Sequence, residues 1–405
     1  MRQDSDDLPL DGIRVVEMAT LGMGPIAAQT LGDYGADVVK LESVAGDLFR
    51  HITPAVSADM GHTFIHLNRN KRSLALDVKS ARGQELVRAL LGSADVFLSN
   101  TRPIALRKLG LDHASLCAAN PGLIHCTAHG FSEQGPYAGR PAADDTIQAM
   151  SGLVDLQQRA GGQPMFVASV VADKAVGLMI VNAILAALLR RSKTGTGQSI
   201  EVPMFESMVA FLMPEHMAGK TYTPQRGAPG YARIVNPKRR PFRTADGLIC
   251  VLPYTDDQWR RFFELIDRPD LVADAELATQ IGRSCRFEEL YAIIEEVMPR
   301  HSTSEWTQLL TGIDILFGEV NTLEQLFDDP HLTALGMFPE YDHPTEGRLR
   351  MIGFPIHSSE PSTALRRLPP RLGEHSLEIA AELGVPEQQV SEMVAAGELR
   401  VAARC

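Results

Sequence analysis

Residues 170 to 191 read Val-Val-Ala-Asp-Lys-Ala-Val-Gly-Leu-Met-Ile-Val-Asn-Ala-Ile-Leu-Ala-Ala-Leu-Leu-Arg-Arg, and after Lys174 almost every side chain is apolar until Arg190. A helix that is apolar on every face is expected to be buried on every face. The apolar run is roughly a dozen residues, short of the ~20 that a bilayer span requires. It therefore reads as a central core helix, and the rest of the chain must supply the layers that cover it. Asp173 lies at its N-terminus and Arg190 and Arg191 at its C-terminus, the arrangement a helix dipole favours. On spacing alone Asp173 is either an N-cap or a reactive carboxylate held at the mouth of a buried helix.

The N-terminal segment supplies such layers. Residues 10 to 18 read as a turn and a buried strand, a helical segment runs to Tyr34, Gly35 ends it, and residues 36 to 41 form a second strand closing on Glu42. Strand, turn, helix and strand in that order make a βαβ unit. The turn Gly22-Met23-Gly24-Pro25-Ile26-Ala27 matches G-x-G-x-x-A, with Glu42 twenty positions after Gly22. That is the spacing of a dinucleotide fingerprint, in which glycines admit a pyrophosphate and the acid binds a ribose. Any tight βα turn can produce the glycines, so the match supports a Rossmann-like half-domain more firmly than it supports NAD.

Further strands are expected at 73 to 78, 95 to 98, 123 to 126 and 198 to 202, with helices at 83 to 91, 104 to 109 and from 205 to about 212. Residues 68 to 72 (Asn-Arg-Asn-Lys-Arg) read as a basic turn, and 129 to 137 as a glycine-punctuated loop. Lys40, Lys79, Arg102 and Lys108 recur just after strand ends. In an open α/β sheet those ends line the ligand crevice, so these cations suit an anionic, phosphate-bearing ligand unless they are ordinary solvated charge. The expected organisation is a large domain over 1–217, a linker over 218–237, a small domain over 238–328 and a return to the large domain over 329–405. Terminal helices are expected at 376 to 383 and 387 to 396.

Composition excludes several classes. The 405 residues carry a net charge of -11, so there is no global basic field to attract nucleic acid. Five scattered cysteines (117, 126, 250, 285 and 405) form no C-x-x-C pair, which fits a reducing cytoplasm and offers no disulfide or zinc framework. Residues 1 to 7 have no apolar core, so no signal peptide is expected. His62 and His66 stand at i, i+4 without the glutamate or third ligand a zinc site needs, and no metal is expected. There is no G-x-S-x-G elbow, and no cysteine in a nucleophile context.

Several stretches together resemble the family III coenzyme A transferases, the family of formyl-CoA transferase and carnitine CoA-transferase. They are Pro-Leu-Asp-Gly-Ile-Arg-Val at 9 to 15, Gly-Ala-Asp-Val-Val-Lys-Leu-Glu at 35 to 42, and Asn-Arg-Asn-Lys-Arg-Ser-Leu-Ala-Leu-Asp-Val-Lys at 68 to 79. Arg-Pro at 102, Leu-Gly-Leu at 109, Gly-Phe-Ser-Glu-Gln-Gly-Pro-Tyr at 130 to 137, Gln148 to Gly152, Lys193 to Gln198 and Leu-Gly-Glu-His at 372 to 375 follow in the family's order. The resemblance implies an α/β fold: a Rossmann-like large domain made from both chain ends, a smaller inserted α+β domain, and a homodimer of interlocked chains. It places the catalytic aspartate at Asp173, ahead of the N-cap reading, with Asp144 retaining a second acid.

It also places the coenzyme A cradle at Gly22, Met23, Leu76, Lys79, Asn100, Thr101, Arg102 and Lys108. The family's basic residue after the second-strand glutamate is Ser43 here, and the ring-bearing residue before Asp144 is Ala143. The implied reaction moves coenzyme A from an acyl-CoA to a carboxylic acid through an aspartyl anhydride and an aspartyl thioester. Coenzyme A is then a substrate, with no resident cofactor and no nucleic-acid or membrane partner. Two other readings stand behind it. An acyl-CoA racemase of the same family would need a His–Asp pair, and Ala143 cannot accept a proton. An NAD-dependent oxidoreductase would use the Gly22 turn.

Overall fold

The computed structural model describes residues 8–403; residues 1–7, Arg404 and Cys405 lie outside the described residues. By compactness the chain divides into two units. The larger comprises the chain up to Ser151, Val167–Phe211 and Ala334 onward, and the smaller comprises Gly152–Phe166 and Leu212–Thr333. The division therefore falls at 211/212 and 333/334. Residues 152–166 and the glycine-rich stretch 218–237 both cluster with the smaller unit, where the sequence reading put the former in the large domain and made the latter a linker.

The larger unit is built on a seven-stranded sheet of β1 (Arg14–Met18), β2 (Asp37–Glu42), β3 (Lys71–Leu76), β4 (Val96–Ser99), β5 (Ile124–His129), β6 (Gln198–Pro203) and a late edge strand. The smaller unit contributes β7 (Phe242–Arg243), β8 (Leu248–Leu252) and β9 (Leu316–Glu319), an antiparallel sheet whose inner face packs on Trp259, Phe262, Phe263, Tyr291 and Trp306. β10 (Glu340–His343) and β11 (Gly347–Arg350) form a hairpin back in the larger unit, and β12 (Leu399–Arg400) adds antiparallel to β3.

The large sheet runs β12-β3-β2-β1-β4-β5-β6, parallel except for β12. The order 3-2-1-4-5-6 reverses between β1 and β4, which is the topological switch point of an open α/β sheet and the place where such sheets bind ligands. β1 to β5 are almost wholly buried, as strands covered on both faces must be. Leu86, Leu90, Phe97, Leu106, Leu111 and Ile379 are among the residues that form the core on one side.

The apolar run forms the helix Val171–Thr194, which packs against the helix Met23–Asp33 and against β5 and β6. At 24 residues, with mean hydropathy 1.8, it is long and apolar enough to cross a membrane, so length does not exclude a span as the sequence reading supposed. The structure also departs from burial on all faces. Ala172, Val176, Gly177, Ile180, Val181, Ile184 and Ala187 are buried, whereas Leu178 and Leu189 are 56% and 61% exposed. An apolar composition alone cannot say whether a second layer within the same chain covers both faces.

The strand β3 begins two residues before its expected start. Lys71 and Arg72, read as parts of a turn, lie in the strand and are buried. Their charges permit this because each meets carboxylates: Lys71 pairs with Glu17, and Arg72 with Asp37, Glu378 and Glu382. Arg69, just before the strand, pairs with Asp33. The basic stretch at 68 to 72 is thus consumed by internal ion pairs.

Candidate active site

Asp173 is not an N-cap. The cap position is Val170, and Asp173 is the third helical residue, within the first turn. Its backbone N–H, which has no partner inside the helix at that position, donates to Oδ1 of Asp144 at 3.0 Å. Asp144 opens the helix Asp144–Met150 and is itself held by Gln148, whose Nε2 donates to Asp144 Oδ2 at 2.6 Å. Gln148 spends its remaining capacity on the strap that leads into the central helix, donating to Ser169 O and accepting from the Val167 N–H. One carboxylate thereby caps the helix that carries the other, and a buried amide fixes its orientation.

Opposite this pair lies the loop between β1 and the helix Met23–Asp33. Gly22 approaches Asp173 so closely that a Cβ on Gly22 would lie 2.6 Å from Cγ of Asp173 and overlap its carboxylate. Gly177, one turn along the central helix, is needed for the same approach: a Cβ there would sit 3.0 Å from Met23 O and Ile26 Cγ2. Burial pushes the Asp173 carboxyl up to about 6, the nearby Asp144 charge adds to the rise, and the backbone N–H of Met23 opposes it. At neutral pH such a group is mostly ionised yet more basic than an ordinary carboxylate.

The switch-point residues meet at the same edge. Asn100, after β4, accepts from Thr20 N at 3.2 Å and donates to Thr20 O at 2.8 Å. Its amide is thus engaged in pinning the β1 loop. Thr101 N donates to Ser99 Oγ, and Arg102 precedes the helix Pro103–Leu109 as its cap residue. Arg102, Lys108 and Lys79 are exposed, and among the described residues none has a carboxylate within ion-pairing distance. Lys79 stands in the turn after β3, on the carboxyl edge of the sheet, three strand positions from β4.

Two expectations fail here, and a third is narrowed. Lys40 is not a crevice cation: it is fully buried and paired with Glu17 at 3.1 Å and Asp47 at 3.0 Å. The Leu76 side chain is fully buried in the core under β12, so any part this residue plays in the cradle falls to its backbone. Glu42 cannot serve a ribose. Both of its oxygens are taken by Arg50, at 2.7 and 2.8 Å, and Ser73 Oγ adds a third bond. The G-x-G-x-x-A turn is therefore not a dinucleotide fingerprint in this chain; Gly22 is small because Asp173 occupies the space. Asp47 was not singled out from the sequence. Its position one residue after Gly46 and three before Arg50 carries no general motif.

Comparison with known proteins fits this geometry. The sequence pattern of CoA-transferase family III matches residues 10–376. The chain belongs to CoA-transferase family III. A succinate–glutarate CoA-transferase of Agrobacterium fabrum is 34% identical over 395 residues, covering 94% of this chain and 97% of the relative. The human succinyl-CoA:glutarate CoA-transferase is 30% identical over 393 residues, covering 96% and 89%. Among solved structures, a CAIB/BAIF family protein from Brucella suis superposes with a TM-score of 0.78 at 34% identity, covering 93% of this chain and all of that one. In this family III chain the paired carboxylates, the Gly22 loop and the switch point all gather at one edge of one sheet.

Proposed function

We propose that the protein moves coenzyme A from an acyl-CoA donor to a carboxylic acid acceptor through covalent intermediates on Asp173. The observation that carries this reading is Asp173 itself: a carboxylate raised to about 6, set against Gly22 and in reach of the Met23 N–H, at the sheet's switch point. The ionised Asp173 attacks the thioester carbonyl, the C–S bond breaks, and a mixed anhydride and the coenzyme A thiolate result. The thiolate then attacks the aspartyl carbonyl, giving an aspartyl thioester and releasing the donor acid as its carboxylate. The acceptor carboxylate attacks that thioester and expels the thiolate, which attacks the acceptor acyl carbon and regenerates Asp173. Every step conserves charge without proton transfer, which suits a site whose second acid, Asp144, is tied to Gln148 and to the Asp173 N–H.

Gly22 and Met23 line the reacting end, where a first-turn N–H can stabilise developing oxyanions. Arg102, Lys108 and Lys79 are the cations we assign to the coenzyme A phosphates, being exposed and without a carboxylate partner among the described residues. The exposed Leu178 and Leu189 on the central helix support a homodimer whose second chain covers them. Succinyl-CoA with glutarate is the first donor–acceptor pair to assay, because two relatives carry that activity in their names.

The test is to add hydroxylamine together with acyl-CoA. It should inactivate the wild type by trapping the activated aspartyl as a hydroxamate, located at Asp173 by peptide mass spectrometry. Hydroxamate at another residue, or full turnover by Asp173→Asn, would refute the reading.

A further inference from the structure

We propose that Asp47 is a positioning residue of the reaction: it holds Leu21 so that the Gly22–Met23 backbone meets the Asp173 carboxylate. The inference rests on the proposed role of Asp173 and names what sets that site's geometry.

Leu21 immediately precedes the close-approach glycine, and its backbone is in the left-handed region at φ 68. A leucine disfavours that conformation, so something must hold it. Asp47 Oδ1 accepts the Leu21 N–H at 3.2 Å and the Phe49 N–H at 3.0 Å. Its other oxygen, Oδ2, pairs with Lys40 at 3.0 Å. Lys40 in turn donates to Ala19 O at 3.0 Å and to Glu17. Lys71 pairs with Glu17 at 2.7 Å and donates to Pro25 O at 2.9 Å and Asn68 Oδ1 at 2.8 Å. Asn100 holds both backbone groups of Thr20.

Residues 19, 20, 21 and 25 are therefore each tied down, and the two between them that face Asp173, Gly22 and Met23, inherit their placement. The side chains of Glu17, Lys40, Lys71 and Asp47 are fully buried. A cluster of four charges without solvent is an expensive way to hold a loop unless its geometry matters. In this cluster Asp47 alone bonds the residue next to Gly22.

Alanine at Asp47 alone would leave Lys40 charged and buried, so the experiment uses charge-balanced pairs. Lys40→Met with Asp47→Asn removes the ion pair and keeps an oxygen to accept the Leu21 N–H. Lys40→Met with Asp47→Ala removes both. With succinyl-CoA and glutarate as the probe pair, the asparagine double variant should keep kcat within about threefold of the wild type. The alanine double variant should lose at least tenfold in kcat, with the acyl-CoA KM changed less than twofold. Its kcat/KM profile should also turn down at a higher pH than the wild type's, because Asp173 loses the Met23 N–H that favours its ionised form while Asp144 still faces it.

Adding Leu21→Gly to the alanine double variant removes the left-handed cost. It should restore the melting temperature without restoring kcat or the acid limb. Equal kcat and equal acid limbs in the two double variants, or recovery of kcat together with stability in the triple variant, would overturn the role of Asp47. Either result, combined with an inactive Asp173→Asn, would leave the proposed reaction standing.

Discussion

Two groups of cations belong to the strands and turns of the same sheet, and they have opposite fates. Lys40 and Lys71 are fully buried and share Glu17, and Lys40 also pairs with Asp47. Lys79, Arg102 and Lys108 are exposed and have no carboxylate partner among the described residues. Lys40 and Lys79 looked alike in the sequence, as basic residues at or after a strand end. The difference is whether the fold brings a carboxylate to the same place. A buried ammonium must be paired to be tolerated, so Lys40 and Lys71 are part of the framework. An unpaired surface cation contributes little to folding and is free to meet a ligand's phosphate. The loop at residues 19 to 23 borders the buried group through Lys40 and Asp47 and the segment leading to Arg102 through Asn100, and Asp173 faces it.

The comparison is broken most sharply at that boundary. Asp173→Asn should lower turnover by on the order of 10³-fold or more with the fold retained, as steady-state kinetics and circular dichroism would record. The same variant should be more stable than the wild type at neutral pH. The folded carboxyl is raised from 3.8 to about 6, so the folded state favours the protonated form and loses stability as pH rises through that window. An amide does not ionise. The stability gap, measured by urea denaturation, should therefore open between about pH 4 and 6 and stay constant above, reaching at most about 3 kcal/mol.

On the buried side, Glu17→Ala leaves Lys40 with Asp47 and Lys71 with no paired carboxylate. It should cost about 3–5 kcal/mol, seen as a large drop in denaturation midpoint or as insoluble protein. A midpoint within 1 kcal/mol of wild type would mean that Lys71, whose pKa burial already depresses to about 8, simply deprotonates.

On the exposed side, Arg102→Ala, Lys79→Ala and Lys108→Ala should leave the midpoint within about 0.5 kcal/mol. Each should raise the acyl-CoA KM by about tenfold, with kcat nearly unchanged. Wild-type KM in all three would remove the phosphate assignment and with it the contrast. The smallest effect is on the acid side of the rate profile. The wild-type kcat/KM should fall tenfold per pH unit below about pH 6, and a limb near pH 4 would mean that Asp173 is not the titrating nucleophile.

Much of the fold was legible in the chain. The strand-turn-helix-strand periodicity at 10 to 42 appears as β1, the helix Met23–Asp33 and β2, with the helix end and the second strand within one residue of expectation, though the helix starts at Met23, inside the expected turn at 22 to 27. Trp259, Phe262 and Phe263 face the small unit's core, as their spacing on one helix face requires. The two acids and the loops after β1 and β4 stand out in the sequence only through resemblance to a family, not through any spacing rule. Glycine at 22 was misattributed for a physical reason. A missing Cβ says that something comes close, and sequence cannot say whether that something is a pyrophosphate or a carboxylate about 150 residues away.

Local pattern determined what each segment is: apolar periodicity, turn glycines and strand runs depend on neighbours in sequence, and those neighbours travel with the chain. Tertiary structure alone decided which charges are spent and which are free. Glu42 with Arg50, Glu17 with Lys40 and Lys71, Asp33 with Arg69, and Asp173 with Gly22 are meetings between separate elements. Ion pairing and close approach are distance-dependent and indifferent to sequence separation. A lysine's letter is therefore the same in the framework and in the crevice, and the packing of the sheet decides between them.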